Sequence, residues 1–288
     1  MLVFRLYRIT MKNIITLILL LTFSALHAQE GITICHTPAT EKFAMFASNS
    51  GFNADHPEPV AYVHRSLKGQ MINFSTPDGK TANAFYLKPE IESNKYLFVI
   101  HEWWGLNDHI KREAEKLFND LNDVHVIALD MYDGKVASTR EDAQEYMSAM
   151  TTDRGKNIIE GALNFAGEDA KIATIGWCFG GGWSLESSLL AGNQAAACVM
   201  YYGMPVNDVE RLKKLNAPVL GVFGSEDQWI NPDVVATFSS NMTKANKDLT
   251  VEMYEANHAF ANPSNPEFDA AATNDAYAKT LAFLVKNL

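Results

Sequence analysis

The strongest constraint on how this chain folds is an alternation. Six short runs are apolar on both faces: YLFVI (96–100), VHVIAL (124–129), KIATIG (171–176), AACVMYY (196–202), PVLGVFG (218–224) and LTVEMY (249–254). Between them lie longer stretches with helical character, among them 110–121, 138–150, 234–246 and 275–288. A strand with no polar face has to be covered on both sides, so strands of this kind alternating with helices predict a mostly parallel, doubly wound sheet. Ahead of the alternation, MINFSTPDGKTANAFYLKP (71–89) predicts a hairpin turning at Pro77-Asp78-Gly79. The expected fold class is therefore α/β, with about eight strands in one domain over residues 69–288. At 288 residues, 47% of them apolar, the chain can bury a sizeable core, and no internal repeat or linker divides it.

The first 68 residues do not follow this pattern. Arg5, Arg8 and Lys12 precede the apolar stretch IITLILLL (14–21) and then SALHAQE, a sequence with the form of a secretory signal peptide over residues 1–28. The apolar stretch is short for a membrane span, and Met11 offers an alternative start. Removing residues 1–28 takes away three cations and no acid, so the net charge goes from -10 to -13. The expected product is an acidic, periplasmic or secreted monomer with no membrane attachment. No Lys/Arg-rich run provides a footprint for nucleic acid. Residues 29–68 show no clean periodicity and are expected to form an extension packed on the main domain. Only three cysteines are present, too few for a disulfide framework. Cys35 and Cys198 could pair, although Cys198 in its apolar run also suits a buried small hydrophobe.

In open α/β sheets, ligands bind beyond the carboxyl ends of the strands. The residues that follow each run are therefore the informative ones. After KIATI comes GWCFGG, with Cys178; after PVLGVFG comes SEDQWI, with Asp227; after LTVEMY comes EANHAF, with His258; after YLFVI comes HEWWGL, with Glu102. Four strand tips thus supply a thiol, two carboxylates and an imidazole. Gly-x-Cys-x-Gly-Gly has the form of a nucleophile elbow carrying cysteine, a strained turn that displays its side chain and needs glycines where backbones meet. The order Cys178, Asp227, His258 is the nucleophile–acid–base order of α/β-hydrolases. In such a triad His258 takes the thiol proton and Asp227 orients the ring. The amides of Phe179 and Trp103 are the candidate oxyanion donors. Taken singly, each residue also has an ordinary role: Asp227 as a turn or helix cap, His258 as a loop histidine, Glu102 as a solvated acid, the tryptophans as packing. His36, His56 and His64 show no metal-ligand spacing, and no dinucleotide fingerprint is present.

These four motifs, in this order, resemble the dienelactone hydrolase family of α/β-hydrolases, over roughly residues 70–288. The extension after the signal resembles an exported branch of that family. The resemblance implies hydrolysis of a small-molecule ester or lactone through a thioester, without metal or organic cofactor. It assigns the nucleophile, acid and base to Cys178, Asp227 and His258. It also implies that Glu102 contacts the resting thiol and helps it ionise, and that Phe179 and Trp103 supply the oxyanion amides. Two positions depart from the family. Members acting on dienelactone hold its carboxylate with two arginines, where this chain has Asp133-Gly134 after Tyr132 and Asn262 beyond His258. Asp133 is expected to repel a carboxylate, so a neutral or differently anchored ester is the expected substrate. Tyr132, Tyr201, Tyr202 and Asn262 are the candidate pocket residues, with at least one of the two adjacent tyrosines engaged in packing. Two other classes remain open at this point: a non-catalytic binding protein on the same fold, and a redox protein using the Cys178 thiol.

Overall fold

The computed structural model describes residues 38–66 and 68–288. The expected signal peptide, the alternative start at Met11 and Cys35 lie outside the described residues. Eight strands form one sheet in the order β1-β2-β4-β3-β5-β6-β7-β8. They are β1 (Gly69–Ser75), β2 (Thr81–Leu87), β3 (Lys95–Ile100), β4 (His125–Leu129), β5 (Lys171–Trp177), β6 (Ala195–Tyr201), β7 (Val219–Gly224) and β8 (Leu249–Tyr254). The β1–β2 hairpin and the β2–β4 pair are antiparallel. All the remaining pairs are parallel. Every residue of β4 and β7 is buried, as expected of strands covered on both faces.

The helices that cover the sheet are α3 (Asp108–Leu121), α4 (Arg140–Ala149), α5 (Thr152–Ala166), α6 (Phe179–Ala191), α8 (Pro232–Ala245) and α9 (Ala270–Asn287), with the single turn α7 at Val209–Leu212. Local chemistry sets where they begin. Asn107 caps α3 by accepting from Ile110 N, and Asn231 caps α8 by accepting from Val234 N, with Pro232 in the first turn. The sequence FGGGWSLESSLLA of α6 has little amphipathic character because this helix is buried almost all round. Among the described residues, no helix is long and apolar enough to cross a membrane.

The extension has structure that its sequence does not advertise. Two short helices, α1 (Ala39–Ala44) and α2 (Ser50–Ala54), are joined by a 3₁₀ turn over Met45–Ser48. Their apolar side chains are not periodic because they point into one aromatic cluster rather than along one face. Phe43 is 1% exposed and Phe52 0%, and the Phe52 ring meets Phe43, Phe46, Trp103 and Trp229 at 5.3–5.7 Å. Each fully buried aromatic contributes about 2–3 kcal/mol of transfer free energy, so the short helices are held by docking rather than by their own propensity.

The turn between β5 and α6 is the tightest place in the fold. A Cβ on Gly180 would lie 2.3 Å from Ile100 O and 2.5 Å from His101 O, and one on Gly176 would lie 2.1 Å from Gly180 O. These neighbours are backbone and cannot swing aside. Gly180→Ala is expected to lower the unfolding free energy by about 3 kcal/mol or to prevent folding, as measured by urea denaturation; a loss under about 0.5 kcal/mol, the range of an ordinary surface change, would contradict the close packing.

Candidate active site

Cys178 sits between β5 and α6 with φ 56° and ψ -116°, a conformation that L-residues rarely adopt. Its amide donates to Tyr201 O at 3.0 Å and its carbonyl accepts from Gly181 N at 3.0 Å, so the end of β6 and the first turn of α6 pin the strained residue. Strain is not confined to this residue: Asp133, Tyr202 and Ala259 also have positive φ, each just past a strand tip. Non-glycine residues in this region cost on the order of 1–3 kcal/mol each and tend to gather where function requires them.

From the tip of β7, Asp227 reaches His258 in the loop after β8, with His258 Nδ1 to Asp227 Oδ2 at 2.6 Å. The other oxygen, Oδ1, accepts from Trp229 N and Ile230 N at 2.8 and 2.9 Å. Asp227 therefore makes a turn and orients the imidazole at once, while Asn231 caps the helix that follows. With Nδ1 committed to the carboxylate, His258 Nε2 is buried and, among the described residues, has no oxygen or nitrogen partner, so the group left for it is the Cys178 thiol. Ligand atoms of His258, Cys178 and a second histidine, His56, all lie within 4.8 Å of one another.

Burial raises the Cys178 thiol above the ordinary cysteine range, while His258 pulls it back down. Burial disfavours the His258 imidazolium, but the Asp227 carboxylate outweighs it and holds the ring well above its ordinary value. Asp227 in turn is desolvated, yet the charge of His258 and the two amides keep its carboxyl below the usual range. Burial thus favours the neutral thiol, while Asp227 favours the imidazolium that would stand beside a thiolate.

Glu102 lies buried at the tip of β3, and burial pushes it up to about 7 against the pull of His258, Tyr202 and Asn262. Its Oε2 accepts from Asn262 Nδ2 at 2.6 Å and its Oε1 from the Tyr202 hydroxyl at 3.4 Å, so its carboxylate is engaged by these two groups rather than by the sulfur. Phe179 is the first residue of α6, and its N–H therefore has no intrahelical acceptor. Trp103 is fully buried beside the site, its indole edge-on to His56 with ring centres 5.0 Å apart.

The candidate pocket residues divide. The hydroxyl of Tyr132 is buried without a partner, and its ring packs on Phe179 and His101. Tyr202 packs on His258 at 5.1 Å. Tyr201 turns away: its hydroxyl pairs with Thr280 Oγ1 at 2.7 Å, and what it contributes to the site is its carbonyl. Asp133 does not stand as a free repelling charge, because Arg154 Nη2 meets it at 2.6 Å. A groove lined by Glu102, Trp104, His109, Glu113, Trp177 and Asn262 runs beside the site, and among the described residues no lysine or arginine lines it. Cys198 is a buried free thiol in β6, 3.6 Å from Ser184 Oγ.

Two features were not legible in the sequence. The elbow is strained but not exposed: Cys178 is only 1% accessible, because the α1–α2 segment lies over it. Within that segment Phe43 and Phe52 face the His258 ring at 6.4 and 6.2 Å. His56 follows, with Nε2 at 3.8 Å from Cys178 Sγ and Nδ1 at 2.7 Å from Phe52 O. Burial, and then the proximity of His258, push His56 down to about 3, so it is neutral. The only local signal was a histidine ending an apolar-aromatic stretch; its 122-residue separation from Cys178 hides the contact.

A strand–elbow–helix turn carrying a strained cysteine, opposed by a histidine–aspartate pair on the tips of an eight-stranded sheet, defines an α/β-hydrolase. Residues 83–288 match the model of the dienelactone hydrolase family, and the chain belongs to that family. It is thus a hydrolase acting on ester bonds. Protein usf of Aquifex pyrophilus is 26% identical over 231 residues, covering 76% of this chain and 99% of that one. Carboxymethylenebutenolidase 1 of Cupriavidus pinatubonensis is 25% identical over 227 residues, covering 74% and 95%. Among solved structures, a dienelactone hydrolase-like promiscuous phosphotriesterase from metagenomic libraries shares the fold with TM-score 0.64 at 22% identity, covering 76% of this chain and 99% of that one. A cold-adapted esterase from an Arctic intertidal metagenomic library does so with TM-score 0.59 at 18% identity, covering 81% and 100%.

The state of Glu102 has a consequence for stability. Its carboxyl moves from an ordinary value near 4.5 when unfolded to about 7 when folded, so folding takes up a proton between those limits. Its contribution to stability is therefore lost as pH rises through this window, by about 3 kcal/mol in all. Denaturation of Glu102→Gln and wild type at pH 4 and pH 8 should show the variant gaining about that much, relative to wild type, at the higher pH. Parallel curves would contradict the raised value.

Proposed function

We propose that the protein is an exported hydrolase that cleaves small uncharged esters or lactones, with Cys178 as nucleophile, His258 as base and acid, and Asp227 as the group that orients it. The observation that carries this reading is the buried Nε2 of His258, without an oxygen or nitrogen partner among the described residues, fixed from behind by Asp227 at 2.6 Å and facing the strained cysteine. His258 takes the proton from Cys178 Sγ as the sulfur attacks the carbonyl carbon. The oxygen that becomes negative is held by the amides of Phe179 and Trp103. Collapse breaks the ester C–O bond, and His258 returns the proton to the departing alcohol, leaving a thioester on Cys178. Water, deprotonated by His258, then attacks the thioester; the acid leaves and the thiol regains its proton.

The uncharged class of substrate is supported by the groove, which among the described residues has two carboxylates, Glu102 and Glu113, and no lysine or arginine. Asn262, at one of the positions where the family's dienelactone-binding members have arginine, is tied to Glu102. Export is supported by the basic start and short apolar run of residues 1–28.

With p-nitrophenyl acetate as substrate, Cys178→Ala and His258→Ala are each expected to lower kcat by at least about 10⁴. Wild-type turnover by Cys178→Ala would overturn the reading. The pocket assignment predicts a kcat/KM for p-nitrophenyl acetate roughly tenfold above that for p-nitrophenyl hemisuccinate, the factor that about 1.4 kcal/mol of uncompensated charge contact gives; a preference for the anion would contradict it.

A further inference from the structure

His56 comes from outside the hydrolase fold and has no part in the reaction described above. It nevertheless reaches the same point in space as the reacting groups. Ligand atoms of His56, Cys178 and His258 lie within 4.8 Å of one another, and the His56 Nε2 to Cys178 Sγ separation is 3.8 Å. In a tetrahedral zinc site, bonds of about 2.3 Å to sulfur and about 2.0–2.1 Å to nitrogen set neighbouring ligand atoms about 3.3–3.6 Å apart. The cluster is near that size already.

The outer contacts match as well. A metal-bound imidazole generally donates its second N–H to a carboxylate or a carbonyl, which fixes the tautomer and aims the lone pair. His258 Nδ1 is bound to the Asp227 carboxylate, and His56 Nδ1 to the Phe52 carbonyl. Both Nε2 atoms are thereby left to face the sulfur, and that of His258 is buried with no oxygen or nitrogen partner among the described residues. Phe52, Trp103 and Tyr202 wall the cluster with rings, so a cation there would be shielded from water. Thiolate with two imidazoles suits a borderline-soft ion such as Zn²⁺ and not Mg²⁺ or Ca²⁺, which take oxygen ligands.

We propose that His56, Cys178 and His258 form a three-ligand site for one thiophilic divalent cation, Zn²⁺ being the best fit, and that the extension thereby holds the hydrolase latent. Binding forms a sulfur–metal bond and breaks the S–H bond; the proton leaves to the solvent, and no electron is transferred. While the ion is bound, the sulfur and the His258 lone pair are unavailable to an ester. Metal binding itself does not depend on the hydrolytic reading; the latency does.

The test uses the full chain, freed of metal with a chelator and titrated with Co²⁺, which replaces Zn²⁺ with a visible chromophore. One equivalent should produce a thiolate-to-cobalt charge-transfer band in the near ultraviolet and the intense visible bands of a low-coordinate ion, and one equivalent of Zn²⁺ should remove both. His56→Gln should weaken Co²⁺ binding by more than about tenfold, since even the loss of an outer partner costs that much. Cys178→Ser, which changes one atom, should abolish the charge-transfer band whether or not the His56 variant folds. No band from wild type at one equivalent, or wild-type binding by folded His56→Gln, would overturn the proposal. Both readouts are optical, so a failure to hydrolyse esters would leave them unaffected.

Discussion

Everything at the candidate site depends on how closely three pieces of backbone approach at the end of β5. Gly180 lies against the carbonyls of Ile100 and His101, Gly181 against that of Tyr201, and Gly176 against Gly180 itself. Only hydrogen fits at those positions, and the contact forces Cys178 into its positive-φ conformation. The strain is maintained because the surroundings over-determine it: the Cys178 amide is held by β6, and the whole of α6 is buried behind it. The aim of the sulfur and the place of the Phe179 amide at the start of α6 follow from this packing.

The second constraint is dryness. Cys178, Glu102, Asp227 and His258 are all less than 9% exposed, so each charge must be accounted for within the protein. Asp227 solves this with two amides and an imidazole. Glu102 solves it only in part, with one strong and one long hydrogen bond, and its carboxyl is accordingly pushed up to about 7. The extension is what removes the water. Without Phe43, Phe52 and His56 over the strand tips, these groups would lie at the open rim where ligands of α/β sheets bind.

How much of this could be read from the chain divides along physical lines. The six apolar runs match β3 to β8 within a residue or two; burial on both faces leaves an unbroken signature in the inner strands, whereas the edge strand β8 has no fully buried residue. The meeting of Cys178, Asp227 and His258 was legible because the fold brings strand tips together and each residue follows a strand within a few positions. Tyr201 and Tyr202 could not be told apart in the sequence, since adjacent residues at a strand end point to opposite sides; one meets Thr280 and the other His258. Asp133 was misjudged because its partner, Arg154, lies 21 residues on in α5. The extension left the weakest trace. Its helices are too short for a hydrophobic period, and the role of His56 exists only once α2 has docked.

In the proposed reaction the Cys178 sulfur is the atom that attacks. Peptide mapping by mass spectrometry, after acid quench of the enzyme with a slowly hydrolysed aryl ester, locates the acyl group. One acyl group is expected, carried on the peptide containing Cys178 and disappearing as the ester is exhausted. An acyl group on any other residue, or steady hydrolysis with Cys178 never modified, would contradict it.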